Sequence, residues 1–134
     1  MVSTGKVSPD KVSPDMVSPD KAGVAVASPV RLTWSRHIRY SPSAKKDALE
    51  IRRDIRKRSV RLFTYLIVMA QGGAKPEMYH NGVLFSSSYA NRDYKILGIA
   101  EGWEEAVKLY AEMIEDVYKE DPGLDYAEYF AAHS

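Results

Sequence analysis

The residues best equipped for chemistry are cations at close spacing. Lys45, Lys46, Arg52, Arg53, Arg56, Lys57, Arg58 and Arg61 crowd into one short stretch, with Arg31, Arg36, His37 and Arg39 just ahead of them. Arginine outnumbers lysine, which favours forked contacts with phosphate oxygens over point-charge attraction. Wound at 100° per residue, Lys45, Arg52, Arg53, Arg56 and Lys57 fall beside one another on a single helix face, a band on the order of 20 Å long. A DNA duplex carries a phosphate charge every ~1.7 Å of axis, so such a band meets several phosphates and releases their counterions, giving affinity without choice of sequence. The candidate DNA contacts are Arg36, Arg39, Lys45, Lys46, Arg52, Arg53, Arg56, Lys57 and Arg58, with Arg61 closing the run.

The charge is segregated along the chain. Residues 31–61 hold eleven Lys or Arg against Asp47, Glu50 and Asp54, a balance of +8, while residues 101–134 hold ten Asp or Glu against Lys108 and Lys119, a balance of −8. The net +1 of the 134-residue chain hides this. The plain explanation of such a run is a solvated helix face paired with the acidic helix of the same molecule. Against it, the stretch from Lys57 to Arg61 contains no acid at all.

Hydrolytic chemistry lacks its groups here. Two-metal phosphodiester cleavage needs clustered carboxylates to hold the cations, and no Asp or Glu occurs between Asp20 and Asp47. The absence of cysteine removes disulfides, thiolate zinc sites and cysteine-held iron–sulfur clusters. His37, His80 and His133 are far apart in sequence and read as surface or capping groups. No catalytic residue, metal or cofactor is expected. A hydrophobic share of 45% supports one packed domain. The longest apolar run, Leu62 to Ala70, is too short to cross a bilayer, so membrane insertion is not expected, and with no basic and apolar leader opening the chain neither is secretion.

Positioning the cations falls to a few elements. Lys6 to Asp20 repeats Val-Ser-Pro-Asp three times, and with proline every fifth residue residues 1–28 are expected to be a disordered arm ahead of a single domain over residues 29–134. Loose alternation from Val24 to Tyr40 predicts one or two short strands, divided by Pro29. Ser41 then reads as an N-cap with Pro42 at the first helical position. Ala48, Ile51, Ile55, Ser59, Leu62, Leu66 and Met69 define a buried stripe, predicting one long basic helix through to Gly72-Gly73, about 28 residues and roughly 42 Å. The β-branched and aromatic content of Val60 to Met69 supports a competing reading, a break at Lys57 to Ser59 followed by a strand. Gly82 to Ser88 and Tyr94 to Ile99 read as an antiparallel hairpin turning at Asn91-Arg92-Asp93. An acidic amphipathic helix follows from Gly102 to Asp121-Pro122-Gly123, with Trp103, Val107, Tyr110, Ala111, Ile114, Val117 and Tyr118 as its apolar face. A last turn carries Tyr126, Tyr129 and Phe130 back onto the domain. The predicted class is α/β.

Read from Arg53 onward, this order of elements resembles the C-terminal half of the RecB-like, PD-(D/E)XK nuclease domain, especially the CRISPR-associated exonucleases with an iron–sulfur cluster. The residues that carry the resemblance are Arg61-Leu-Phe-Thr-Tyr65-Leu-Ile-Val-Met-Ala-Gln-Gly-Gly-Ala-Lys-Pro76 and Gly82-Val-Leu-Phe-Ser86. In that family a helix carries Gln-x-x-x-Tyr; here Tyr65 matches the tyrosine and Arg61 stands at the glutamine position. The family's Glu-x-Lys pair, its preceding Asp and its cluster cysteines have no counterpart in this chain. The resemblance therefore implies a catalytically inactive derivative that keeps the DNA-facing side of the fold. A basic, inactive derivative of this kind is similar to the nucleocapsid coat protein of a filamentous archaeal virus. That likeness implies packaging of linear double-stranded DNA in a helical virion assembled in the host cytoplasm.

The sequence thus leads to a non-enzymatic nucleocapsid protein that binds double-stranded DNA without sequence preference, as a homo-oligomer or together with another coat protein. A basic and an acidic face on one protomer permit head-to-tail contacts that build an open filament. Two rival readings are a protein-interaction module, an inhibitor or adaptor working through its acidic helix, and a truncated nuclease subunit completed by a partner's carboxylates.

Overall fold

The computed structural model describes residues 29–120, 123 and 125–132. The Val-Ser-Pro-Asp repeats and the predicted strand start at Val24 lie outside the described residues. The chain runs β1 (Arg31–Tyr40), α1 (Pro42–Lys46), α2 (Ala48–Arg56), β2 (Thr64–Ala70), β3 (Glu77–His80), α3 (Asn81–Leu84), a 3-10 turn at Ser87–Tyr89, β4 (Asp93–Glu101), α4 (Trp103–Glu120) and α5 (Tyr126–Ala132). The four strands form one mixed sheet in the order β1-β4-β2-β3, with β1 parallel to β4 and β2 antiparallel to both β4 and β3.

Helices cover both faces of this sheet. Ile51 and Ile55 of α2 pack with Ala44 and Leu84 on Leu66, Val68, Ile96 and Ile99. On the opposite face Ala106, Leu109, Met113 and Val117 of α4 and Phe130 of α5 pack on Ile67, Met69, Leu97 and Ala100. The mixed α/β class follows from the sequence as expected. So do the cap at Ser41, whose Oγ accepts the Ala44 N–H ahead of Pro42, the acidic helix at Trp103 and the terminal turn that buries Phe130.

Three expectations are corrected. The long basic helix does not form: α2 stops at Arg56, Arg58 takes a left-handed conformation with φ 58°, and the chain re-enters the sheet as β2. Leu66, Ile67, Val68 and Met69 are all buried. Around a helix such a run would have to be enclosed on every side, whereas a central strand buries alternate residues against two helical layers. Leu62, a member of the predicted helical stripe, is 75% exposed. The predicted hairpin is also absent. Gly82 to Ser88 runs through the end of α3, a turn and the start of the 3-10 turn, and the antiparallel hairpin is β2–β3, turned by Gly72 at φ 77°, a glycine that reads in the sequence as a helix stop. Finally, α4 is rotated from the predicted face: it buries Ala106, Leu109, Met113 and Val117, while Trp103, Val107 and Tyr118 stay exposed.

The strands themselves are irregular where they meet α4. The β2–β4 register slips between Ile67 and Val68, leaving Leu97 as a bulge that turns it toward the α4 layer. Next to it, a Cβ on Gly98 would lie 3.2 Å from the Met113 sulfur. Among the described residues, no helix is long and apolar enough to cross a membrane.

Candidate nucleic-acid interface

The cations are carried by two short helices, not one long one. α1 brings Lys45 and Lys46, Asp47 breaks the helix, and α2 brings Arg52, Arg53 and Arg56, with Lys57 as its C-cap. At nine residues α2 spans only about 14 Å, so the band is shorter than the sequence suggested. Lys45, Lys46, Arg53, Arg56 and Lys57 are exposed. Arg36 is exposed and lies between Trp34 and Ile38, which pack toward α2, in the stretch of β1 where the pairing with β4 is irregular.

Arg52 and Arg56 are held from below. The Arg52 guanidinium sits 4.4 Å from the Trp34 ring centroid, that of Arg56 5.7 Å, and Arg52 Nη1 donates to the Tyr40 hydroxyl at 3.0 Å. A half-buried indole thus fixes two guanidiniums at the surface through cation–π attraction. The carboxylates of α2 are meanwhile turned elsewhere. Arg61 folds back along the helix, its Nη1 2.8 Å from Asp54 and 3.7 Å from Glu50, and its Nε donates to Thr64 Oγ1 at 2.9 Å. Thr64 in turn hydrogen-bonds Glu101. The nearest carboxylate contact of the outer cations is Arg53 to Asp54 at 3.9 Å.

Three of the candidate DNA contacts belong to other work. Arg58 donates to the carbonyls of Ile55 at 2.7 Å and Val30 at 2.9 Å and lies over the Phe85 ring. Burial lowers its pKa below the ordinary arginine value, which marks a guanidinium tying the end of α2 to the start of β1. Burial also pulls on Arg61, but the hydrogen bond to Asp54 and the charges of Glu101, Asp54 and Glu50 outweigh it and raise its pKa. Asn81 completes that corner by accepting the Arg61 N–H at 2.7 Å and donating to the carbonyls of Arg61 and Thr64. Arg39 points to the far face of the sheet, beside Met113 and Tyr129, where it pairs with Asp116 of α4.

Arg39–Asp116 is thus a case of the internal pairing considered for the whole basic run, and it does not extend to α2. The basic helix packs against Leu66 and Val68, the acidic helix against Ile67 and Met69, so the sheet stands between them. The Arg61 network and the Trp34 stack are not visible in the sequence. Both join residues far apart in the chain, and the only local hint is the aromatic at position 34 in a basic strand.

Among the described residues, no group of three or more His, Asp or Glu is placed to hold a metal ion. Across the sheet from α2, a cavity of about 420 Å³ is floored by Met69, Leu97 and Phe130 and rimmed by Lys95 and the Arg31–Asp93 pair. The segment that carried the nuclease resemblance has a different local structure from that family's: Arg61 precedes a strand and Tyr65 lies within it, where the family has a helix. Comparison of the chain with protein-family models, curated proteins and solved structures finds no match.

Proposed function

We propose that this protein binds double-stranded DNA without sequence preference through its α1–α2 face, and coats it without catalysing any reaction, as a nucleocapsid protein does. The proposal rests on charge placement, not on the nuclease resemblance. The observation that carries it is the engagement of Asp54, and at longer range of the exposed Glu50, by Arg61, which leaves Lys45, Lys46, Arg53, Arg56 and Lys57 outward with Asp47 as the carboxylate between the two helices. Trp34 sets Arg52 and Arg56 in place beside them, so less side-chain freedom is lost when phosphate binds.

Fluorescence anisotropy on an unrelated duplex of about 30 base pairs, over a salt series, tests this. Five or six phosphate contacts give a slope of log K against log salt of about −5, and a second duplex of different sequence gives the same curve. Replacing Arg53, Arg56 and Lys57 together by Ala flattens the slope by about 0.9 for each phosphate no longer neutralised, whereas Arg39→Ala leaves it unchanged. Absence of binding at low salt, or unchanged binding by the triple variant, refutes the proposal.

A further inference from the structure

The acidic helix is apolar on two sides. One side packs on the sheet, yet Trp103, Val107 and Tyr118 remain 60%, 42% and 64% exposed. With Ala111, also exposed, and Ile114, half-buried, they step along α4 by four, four, three and four residues and so share one stripe about 22 Å long. Trp103 is held in place on its inner side by an edge contact with the Tyr65 ring, 5.6 Å between centroids. A helix on the surface of a single domain needs one apolar face; a second of this length is the mark of a contact.

We propose that this stripe packs against the same stripe of a second copy of the chain, the two α4 helices running antiparallel about a two-fold axis at Ala111. The charges beside the stripe select this occupant and this direction. Glu104, Lys108, Glu115 and Lys119 lie along one flank of it and alternate in sign, acid, base, acid, base. Turned end for end about Ala111, Glu104 comes opposite Lys119 of the second copy and Lys108 comes opposite Glu115. By symmetry both pairs form twice, and Trp103 meets Tyr118 while Val107 meets Ile114. A parallel pairing would carry this flank to opposite sides of the contact in the two copies, so that neither ion pair forms. Ala111, the smallest side chain in the stripe, falls at the axis, where two helices come closest. The contact is isologous, so it closes at a dimer. It involves neither α1 nor α2 and stands whether or not the protein binds DNA. If both hold, the basic faces point outward from the two halves and one dimer bridges two stretches of duplex.

Sedimentation velocity of the full chain without DNA, from about 5 to 200 µM at about 0.15 M salt, reads the association directly. The expected result is a dimer that Val107→Glu with Tyr118→Glu converts to a monomer with an unchanged far-UV circular dichroism spectrum. Glu104→Lys with Glu115→Lys weakens the dimer, and adding Lys108→Glu with Lys119→Glu restores it, since the alternation is then inverted as a whole. Because the chain has no cysteine, Ala111→Cys reports the axis. It oxidises to a covalent dimer only if the two Cα atoms come within about 7 Å, whereas Glu112→Cys, turned away from the stripe, stays reduced. A monomer throughout the concentration range overturns the proposal. So does a dimer that survives Val107→Glu with Tyr118→Glu and is not cross-linked through Ala111→Cys.

Discussion

Replacing Arg61 by Ala separates structure from binding. The Arg61 side chain is 19% exposed and is enclosed by Asp54, Glu50, Glu101 and Thr64. Its removal deletes two charge-assisted hydrogen bonds, to Asp54 at 2.8 Å and Thr64 at 2.9 Å, and leaves carboxylates facing one another with no cation between them. A hydrogen bond to a charged group contributes about 1.5–3 kcal/mol. Residual solvent access and ionic screening place these at the low end, so the loss is about 3 kcal/mol. For a domain of this size each kcal/mol moves the melting temperature by roughly 4–8 °C, giving a fall of about 12 °C or more. Arg61→Lys keeps the charge but loses the planar fork, and should lose about half as much. Thermal unfolding followed by circular dichroism gives the stability. DNA anisotropy, measured well below both transitions, should differ less than twofold from the parent. A melting shift under about 3 °C, or a folded variant that has lost DNA affinity, would refute the assignment of Arg61 to the interior network and return it to the DNA-binding face.

Trp34→Ala removes the platform under Arg52 and Arg56 and opens a half-buried space, at a cost of about 2 kcal/mol. It should also weaken DNA binding several-fold with little change in salt slope, because the charges remain and only their fixed placement is lost; a flattened slope in the anisotropy titration would contradict this. Gly98→Ala forces a methyl group against the Met113 sulfur at 3.2 Å and Leu109 Cδ2 at 3.4 Å, an overpacking that destabilises by about 1–3 kcal/mol in urea unfolding; an unchanged urea midpoint would show that α4 gives way freely. Hydrogen bonds from the Ser41 and Ser43 hydroxyls hold the Glu105 carboxyl below its ordinary range. Its contribution is therefore present above the unfolded-state value of ~4.3 and is lost as pH falls through the lower folded-state value. Glu105→Gln should flatten the acid side of the stability curve, read as urea midpoints against pH, and leave its neutral side with the same slope.

How far the sequence could be read depended on whether the signal was local. Ser41-Pro42 and the acidic first turn at Glu104-Glu105 act within a few residues of themselves, and the structure keeps them as a cap and a helix start, whereas Gly72, read as a helix stop, turns a hairpin. Residues 60 to 69 mislead because three- and four-residue spacing in a densely apolar run can be found whether the run is helix or strand. The β-branched content of the same segment favours the strand that forms. The rotation of α4 has another origin. Trp103, Val107, Ile114 and Tyr118 are larger than Ala106, and side-chain size points to the wrong face; the bare backbone at Gly98 leaves room on the sheet for Met113 and Leu109 there. Of the predicted DNA-binding set, charge alone does not tell Arg53 from Arg61. That distinction lies in which arginine has Asp54, Thr64 and Asn81 around its backbone and guanidinium, and those neighbours arrive from separate strands and turns.

The sheet between the two charged helices bears most on function. Helices packed on opposite faces of a sheet have axes about 20 Å apart, since each layer adds about 10 Å, and the screening length at physiological salt is about 8 Å. The outer cations of α2 and the acids of α4 are therefore nearly independent, whereas Lys46 of α1 lies close enough to help hold the Glu105 carboxyl below its ordinary range. Where the two regions do meet, they use groups that reach around or through the sheet: Arg39 to Asp116, and Ser43 to Glu105. Neither pairing touches Arg53, Arg56 or Lys57. Beyond the pairs made within the protomer, Glu115 with Lys119 among them, the two charged layers are suited to different partners. The α1–α2 face, with two guanidiniums set over an indole, suits the phosphate partner proposed for it. The α4 face alternates its charges beside an apolar stripe and suits the second copy proposed for it.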